Sequence, residues 1–79
     1  MKYKVMTQIS ANTLLFHDSA LNETIQRMRT DPREQTNIRC PSKWFAKKVV
    51  EFYEKERLYL YFKMKVINLD NGYLINFFN

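Results

Sequence analysis

Aromatic and basic residues alternate with apolar ones in residues 58–67, and this alternation is the strongest chemical signal in the chain. At the spacing of a β-strand, one side is purely apolar and the other carries Tyr59, Tyr61, Lys63 and Lys65. Rings can stack on unpaired bases while ammonium groups neutralise phosphates, so the pattern predicts a surface for single-stranded nucleic acid. Tyrosine also favours strands in general, so a solvated sheet face and a dimer interface built on the tyrosines are the alternatives.

The chain is basic, with 13 lysines and arginines against 8 acidic residues and a net charge of +5. The candidate nucleic-acid-binding cations before residue 58 are Lys2, Lys4, Arg27, Arg29, Arg33, Arg39, Lys43, Lys47 and Lys48. Guanidinium groups pair with phosphate through a planar fork. Lysines at a helix start oppose the helix dipole, so a bound partner explains that group better than helix stability does. Simple solvation is the alternative, and Arg27 can also pair with Glu23 one helical turn away.

The residue types give catalytic and metal chemistry little support. Cys40 is the only cysteine and His17 the only histidine, which excludes an intrachain disulfide and the usual four-ligand zinc sites. Gly72 is the only glycine, which excludes a glycine-rich phosphate loop. His17 precedes an aspartate and a serine, but triads assemble from distant parts of a chain, so a structural or capping role is expected. We expect a non-enzyme without catalytic residues, metal or cofactor; a metal-free nuclease using His17 is the weaker alternative.

The first half of the chain predicts one strand and one helix. Residues 2–9 alternate and indicate a strand, whereas residues 13–16 fit either a second strand or a helix. A helix is predicted from near Ala20 to the residues before Pro32, because the residue preceding a proline is pushed out of helical space. Residues 33–40 are polar and show no clear period, so we interpret them as a loop.

The second half predicts a helix followed by a hairpin. Ser42 can cap a helix that ends near Arg57. Residues 58–67 form the alternating strand, residues 68–72 contain an Asn-Gly turn, and residues 73–78 return as the last strand. The apolar faces of this predicted helix and strand predict a core that includes Phe45, Val49, Phe52, Leu60, Phe62 and Met64.

These elements predict a single α+β domain over residues 1–79, in the order β(β)-α-α-β-β. Two helices would cover one face of a small, largely antiparallel sheet and leave the other face open. We expect so short a chain to have no disulfide or metal to stabilise it. A homodimer is therefore expected, and a dense aromatic core is the alternative source of stability. No secretory signal follows Met1, and the longest apolar run is too short to cross a bilayer, so we expect a cytoplasmic protein without a membrane partner.

The chain also resembles small phage early proteins. It is short, rich in Lys, Asn, Phe and Tyr, has one glycine, and ends in the sequence GYLINFFN. Within that group it resembles the RNA-binding phage inhibitors of ribonuclease toxins used in anti-phage defence. The resemblance implies an RNA partner, a complex with a toxin ribonuclease and a place in the host cytoplasm. The alternative is a protein-binding inhibitor that docks its basic surface on an acidic partner.

Overall fold

The computed structural model of the protein describes residues 5–79. Its elements are β1 (Val5–Ser10), α1 (Ala11–Phe16), α2 (Asp18–Thr30), β2 (Glu34–Cys40), α3 (Lys43–Lys55), a 3-10 turn (Leu58–Leu60), β3 (Lys63–Leu69) and β4 (Gly72–Phe78). The α+β class is confirmed, and the order is β-α-α-β-α-β-β. Two of the candidate cations, Lys2 and Lys4, lie outside the described residues.

The four strands form one mixed sheet in the order β1-β2-β4-β3. β4 runs antiparallel to both of its neighbours, whereas β1 and β2 are parallel. A parallel pair needs a crossover long enough to return the chain to the starting edge, and the α1–α2 segment is that crossover. The segment of ambiguous period, residues 13–16, is therefore helical, and the Ser10 hydroxyl caps it by accepting from the Thr13 amide (3.1 Å).

The interpretation of residues 33–40 as a loop is wrong, because Glu34–Cys40 form β2 in the middle of the sheet. Burial alternates along the strand, with Ile38 and Cys40 in the core. The strand escaped detection because its first two inward residues are polar. The Glu34 carboxylate is satisfied by the Thr7 hydroxyl, which donates to it at 2.7 Å, and Thr36 donates to the Met28 sulfur at 3.6 Å.

The prediction of one strand through residues 58–67 is also wrong at its beginning. Leu58 and Phe62 are both buried at helical spacing, and the Phe62 amide donates to the Leu58 carbonyl (3.1 Å). Arg57 enters this turn in the left-handed region, with φ of 54°. The Tyr53 hydroxyl donates to the Phe62 carbonyl (2.6 Å), so the strand ladder begins only at Lys63.

The core lies between the three helices and one face of the sheet. It joins Leu14, Met28 and Val49 from the helices to Ile75 and Phe77 from β4. Of the six residues predicted to be buried, Val49 and Phe62 are buried, Phe45, Phe52 and Met64 are half-buried, and Leu60 is 68% exposed. Leu60 was misplaced because the 3-10 turn does not follow the period of a strand.

The β3–β4 hairpin forms at the predicted Asn-Gly sequence. Gly72 has φ of 144°, which side chains rarely allow, and a Cβ atom there would lie 2.5 Å from the Cys40 carbonyl oxygen. We expect Gly72→Ala to lower the free energy of unfolding by about 1–3 kcal/mol, because the strain and the clash add. Chemical denaturation measures the change, with Asn71→Ala as the control. Equal stability of the two variants would contradict this account of the turn.

Candidate nucleic-acid interface

The sheet has a second face, which the helices leave uncovered. Inward-facing residues of adjacent strands are paired in register, as in the Ile38–Ile75 and Thr36–Phe77 pairs, so their neighbours point the other way. We call this second surface the open face. Its residues are Met6, Gln8, Gln35, Asn37, Arg39, Lys63, Lys65, Ile67, Leu69, Leu74, Asn76 and Phe78.

Carboxamide side chains occupy the centre of the open face. Asn76 is only 7% exposed, and its NH2 group donates to Asn37 Oδ1 at 2.8 Å and to Gln35 Oε1 at 3.3 Å. The Asn37 NH2 group in turn lies 3.0 Å from the Met6 sulfur. These contacts fix the orientation of three amides, which are the groups that hydrogen-bond to base edges.

Cations lie next to the amide cluster on β3 and further along β2. Lys63 and Lys65 project from β3, the edge strand, and Arg39 projects from β2. All three are exposed, and within residues 5–79 no acidic side chain belongs to the open face. The two lysines are two residues apart, which is about 7 Å along a strand. A phosphate backbone running beside β3 could therefore meet both ammonium groups.

An aromatic ring completes the surface. Phe78 is half-buried on β4 and pairs in register with Lys63 on one side and Gln35 on the other. A partly exposed ring on a sheet face can stack on an unpaired base. The open face thus brings together groups that can contact phosphates, base edges and base rings.

The two tyrosines predicted to share a strand face with the lysines lie elsewhere. Tyr59 and Tyr61 are exposed, but they belong to the 3-10 turn and its end rather than to β3. The Arg29 guanidinium lies 5.9 Å from the centre of the Tyr61 ring, within the range of a cation–π contact. The structure therefore brings Arg29 to Tyr61 from a distant part of the sequence, and it separates both from the amide cluster.

Two of the candidate arginines are engaged by carboxylates. Arg33 contacts Asp31 twice, Nε to Oδ1 at 3.2 Å and Nη2 to Oδ2 at 3.1 Å. Through these bonds the pKa of the Arg33 guanidinium is raised and the pKa of Asp31 is lowered. Arg27 is half-buried, with Nε 3.4 Å from Glu34 Oε1. Its guanidinium compensates a buried carboxylate, which gives Arg27 a structural role.

The lysines of α3 lie in the helix layer, on the opposite side of the sheet from the open face. Lys43 and Lys47 are exposed. Lys48 contacts Glu51 at 3.4 Å, and its ammonium lies 5.7 Å from the centre of the Trp44 ring. Among the described candidate cations, Arg39, Lys63 and Lys65 therefore lie on the open face, whereas the lysines of α3 lie on the helix side of the sheet.

The single histidine and the single cysteine differ in their exposure to solvent. His17 is exposed at the start of α2, with no cap hydrogen bond from its side chain. In the part of the chain that the structure describes, no three His, Cys, Asp or Glu residues are grouped so that they could hold a metal ion. Cys40 is buried, and burial raises its pKa to about 11.

The Cys40 thiol should resist alkylation in the folded protein. Thiolate is the reactive form, and a pKa of about 11 leaves almost none of it at pH 8. Because the pKa is raised, the reactivity of the thiol should increase only as the pH rises towards 11. We expect iodoacetamide to modify Cys40 in denaturant but not under native conditions at pH 8. Mass spectrometry reads out the modification, and rapid native labelling would contradict the buried position.

The amide cluster was not among the residues singled out from the sequence. A signal for it exists, because Gln35, Asn37 and Arg39 alternate with Thr36, Ile38 and Cys40. On β4, Asn76 stands between the buried Ile75 and Phe77, which places it on the opposite face. Interpreting residues 33–40 as a loop hid the first half of this pattern.

Within residues 5–79, no helix combines the length and hydrophobicity that crossing a bilayer requires. Comparisons of the chain with models of known protein families, with curated proteins and with solved structures found no match.

Proposed function

We propose that this protein binds RNA, or another single-stranded nucleic acid, on its open face without catalysing a reaction, and that it acts in the cytoplasm. The observation that carries the proposal is the composition of one uncovered sheet face. Three exposed cations lie next to an ordered amide cluster and a half-buried ring, and among the described residues no carboxylate belongs to that face.

Each group has a distinct part in the proposed complex. Lys63 and Lys65 neutralise successive phosphates, which releases counterions and makes binding sensitive to salt. Phe78 stacks on a base, a contact worth about 1–3 kcal/mol. Asn37 and Gln35 present amide groups to base edges, which is the one part of the surface able to distinguish bases.

A single strand suits this surface better than a duplex. Four strands span about 14 Å from β1 to β3, since neighbouring strands lie about 4.8 Å apart. Bases must be unstacked and turned towards the sheet before they can reach the Phe78 ring and the amides. Paired bases cannot make that movement without breaking the duplex, so single-stranded RNA should compete far better than the same sequence annealed.

Fluorescence anisotropy with a labelled single-stranded RNA tests the proposal. We expect binding at 50 mM salt that weakens steeply by 200 mM, with a slope of about −0.7 in log affinity against log salt for each phosphate contact. An annealed duplex is the matched competitor. Absence of any binding at 50 mM salt would overturn the proposal.

A second candidate is a protein-binding inhibitor, the class that includes inhibitors of ribonuclease toxins. Met6 is 46% exposed and Leu69 is 52% exposed on the open face, and exposed apolar residues beside cations suit a partner with acidic and apolar groups. Inhibition of a purified toxin ribonuclease by wild-type protein that fails to bind RNA at 50 mM salt would favour this function. Inhibition that follows the RNA affinity of variants would favour the first.

A further inference from the structure

A groove runs between the end of α1 and the outer side of α3, and it is separate from the open face. Its volume is about 380 Å³, and its residues are Leu15, Phe16, Trp44, Lys48, Glu51, Phe52 and Lys55. We call it the α1–α3 groove. Phe16 is 64% exposed and Trp44 is 53% exposed. Two large aromatic side chains that share one exposed groove mark an interaction site rather than an ordinary solvated surface.

The α3 side of the groove has a regular pattern. Trp44, Lys48, Glu51 and Lys55 recur at i, i+4, i+7 and i+11, which places them on one stripe of the helix. The stripe therefore carries an aromatic ring, a cation, an anion and a cation in that order. Lys48 already contacts both neighbours, with Glu51 at 3.4 Å and the Trp44 ring centre at 5.7 Å.

The order of side chains along this stripe is complementary to itself when two copies of α3 lie antiparallel. Trp44 and Lys55 lie at equal distances from the point between Val49 and Val50, close to the middle of α3, and so do Lys48 and Glu51. In an antiparallel pair of α3 helices related by a twofold axis at that point, Trp44 of one chain would face Lys55 of the other. Lys48 would likewise face Glu51 in both directions. A twofold interface requires this kind of self-complementarity.

We propose that the α1–α3 groove is the interface of a twofold homodimer, with α3 packed antiparallel against α3 of a second copy. The charge pattern favours a second copy over an unrelated partner, because both electrostatic pairs are satisfied by the same stripe. Phe16 and Trp44 supply the apolar contact that exposed ion pairs alone do not provide. The open face lies on the other side of the sheet, so the dimer leaves both nucleic-acid surfaces free.

The interface is small, and its affinity should reflect that. The 13-residue helix α3 is about 20 Å long, so the contact falls at the low end of specific interfaces. We expect dissociation in the micromolar range, about 1–100 μM. Sedimentation velocity from 5 to 500 μM should show a monomer converting to a dimer. A monomer throughout that range would overturn the proposal.

Trp44 is the only tryptophan in the chain, so its fluorescence reports on the groove directly. We expect a blue shift of its emission as the protein concentration passes through the dissociation constant, because the second copy removes the ring from water. Trp44→Ala should weaken dimerisation at least about tenfold, as expected for an aromatic anchor. If Trp44→Ala leaves association unchanged but abolishes RNA binding, the groove belongs to RNA and the proposal fails.

A charge-swap experiment separates association from folding. Lys48→Glu puts carboxylates at both central positions of the stripe, 48 and 51, and Glu51→Lys puts cations at both, so each variant should repel its own copies. Their equimolar mixture should form a heterodimer, because a cation then faces a carboxylate at both central positions. Both positions are on the surface, and circular dichroism checks that each variant folds. The proposal would be overturned if either single variant dimerised like wild type. It would also be overturned if the mixture stayed monomeric.

The outcome is independent of the proposed nucleic-acid function. Loss of dimerisation with retained RNA binding at low concentration supports the groove as the interface. A wild-type dimer that binds no RNA supports the interface and overturns only the proposed function. Association that persists in both Trp44→Ala and Glu51→Lys, with RNA binding intact, overturns the interface and leaves the proposed function standing.

Discussion

Replacing Phe77 by alanine should lower the free energy of unfolding by about 3–5 kcal/mol, the usual cost of removing a buried phenyl ring. Phe77 is fully buried on β4, an inner strand of the sheet. Its ring lies 4.8 Å from the ring centre of Phe62 and stacks on Tyr53 at 5.8 Å. The cavity would therefore open where the sheet, the 3-10 turn and α3 meet.

A loss of that size is a large part of the total stability of a small domain, which is about 5–15 kcal/mol. We expect Phe77→Ala to be partly unfolded at 37 °C, as measured by circular dichroism during chemical denaturation. Leu60→Ala is the control, because Leu60 is 68% exposed, lies outside the proposed dimer interface and should change stability by no more than about 0.5 kcal/mol. Similar losses in the two variants would mean that β4 does not run through the core.

Removing both lysines of β3 should weaken RNA binding about 25-fold at 0.1 M salt. Each lost phosphate contact lowers the salt slope by about 0.7, and two contacts amount to a factor of about 25 between 1 M and 0.1 M. Lys63→Gln/Lys65→Gln should reduce affinity for all sequences alike, because phosphate contacts carry no sequence information. Stability should hardly change, since both side chains are exposed.

The matched control is Lys43→Gln/Lys47→Gln, which removes the same charge from the helix layer. We expect that variant to lose only the long-range part of the attraction, so its affinity should stay within about threefold of wild type. Equal weakening of the two double variants would indicate that net charge, rather than the open face, determines binding. Stronger weakening in the control would move the site to α3.

The sequence predicted the elements whose ends carry explicit signals. Ser42 caps α3, its hydroxyl accepting from the Phe45 amide at 3.5 Å, and Pro32 lies just beyond the end of α2. The Asn-Gly turn gave the hairpin, because a glycine at positive φ is a local requirement that the chain states directly. The α+β class and the coverage of one sheet face by helices followed from these elements.

The alternation along β2 does not by itself reveal a buried strand. Its inward positions begin with Glu34 and Thr36, and only tertiary partners make them tolerable there. The Glu34 carboxylate is held by Thr7, which lies 27 residues earlier in the sequence, and by Arg27 on α2. Burial of a polar strand is decided by those partners, which no local period reveals.

Only part of the candidate site could be predicted from the sequence, because the rest depends on how distant segments pair. Lys63 and Lys65 were assigned to an outward strand face, and both are exposed on the open face. Tyr59 and Tyr61 were assigned to it because a short apolar run does not distinguish strand from helical spacing. The amide cluster needs β2 beside β4, and that pairing depends on the whole topology.

The most direct test of the open face is a two-dimensional 1H–15N NMR titration of the protein with a single-stranded RNA. The side-chain NH2 groups of Gln35, Asn37 and Asn76 give signals of their own in such a spectrum, so the amide cluster can be observed directly. We expect those signals and the backbone amides of residues 63–67 and 74–78 to shift first, with α3 almost unchanged. Shifts confined to α3 and the α1–α3 groove, with the three side-chain amides unmoved, would contradict nucleic-acid binding on the open face.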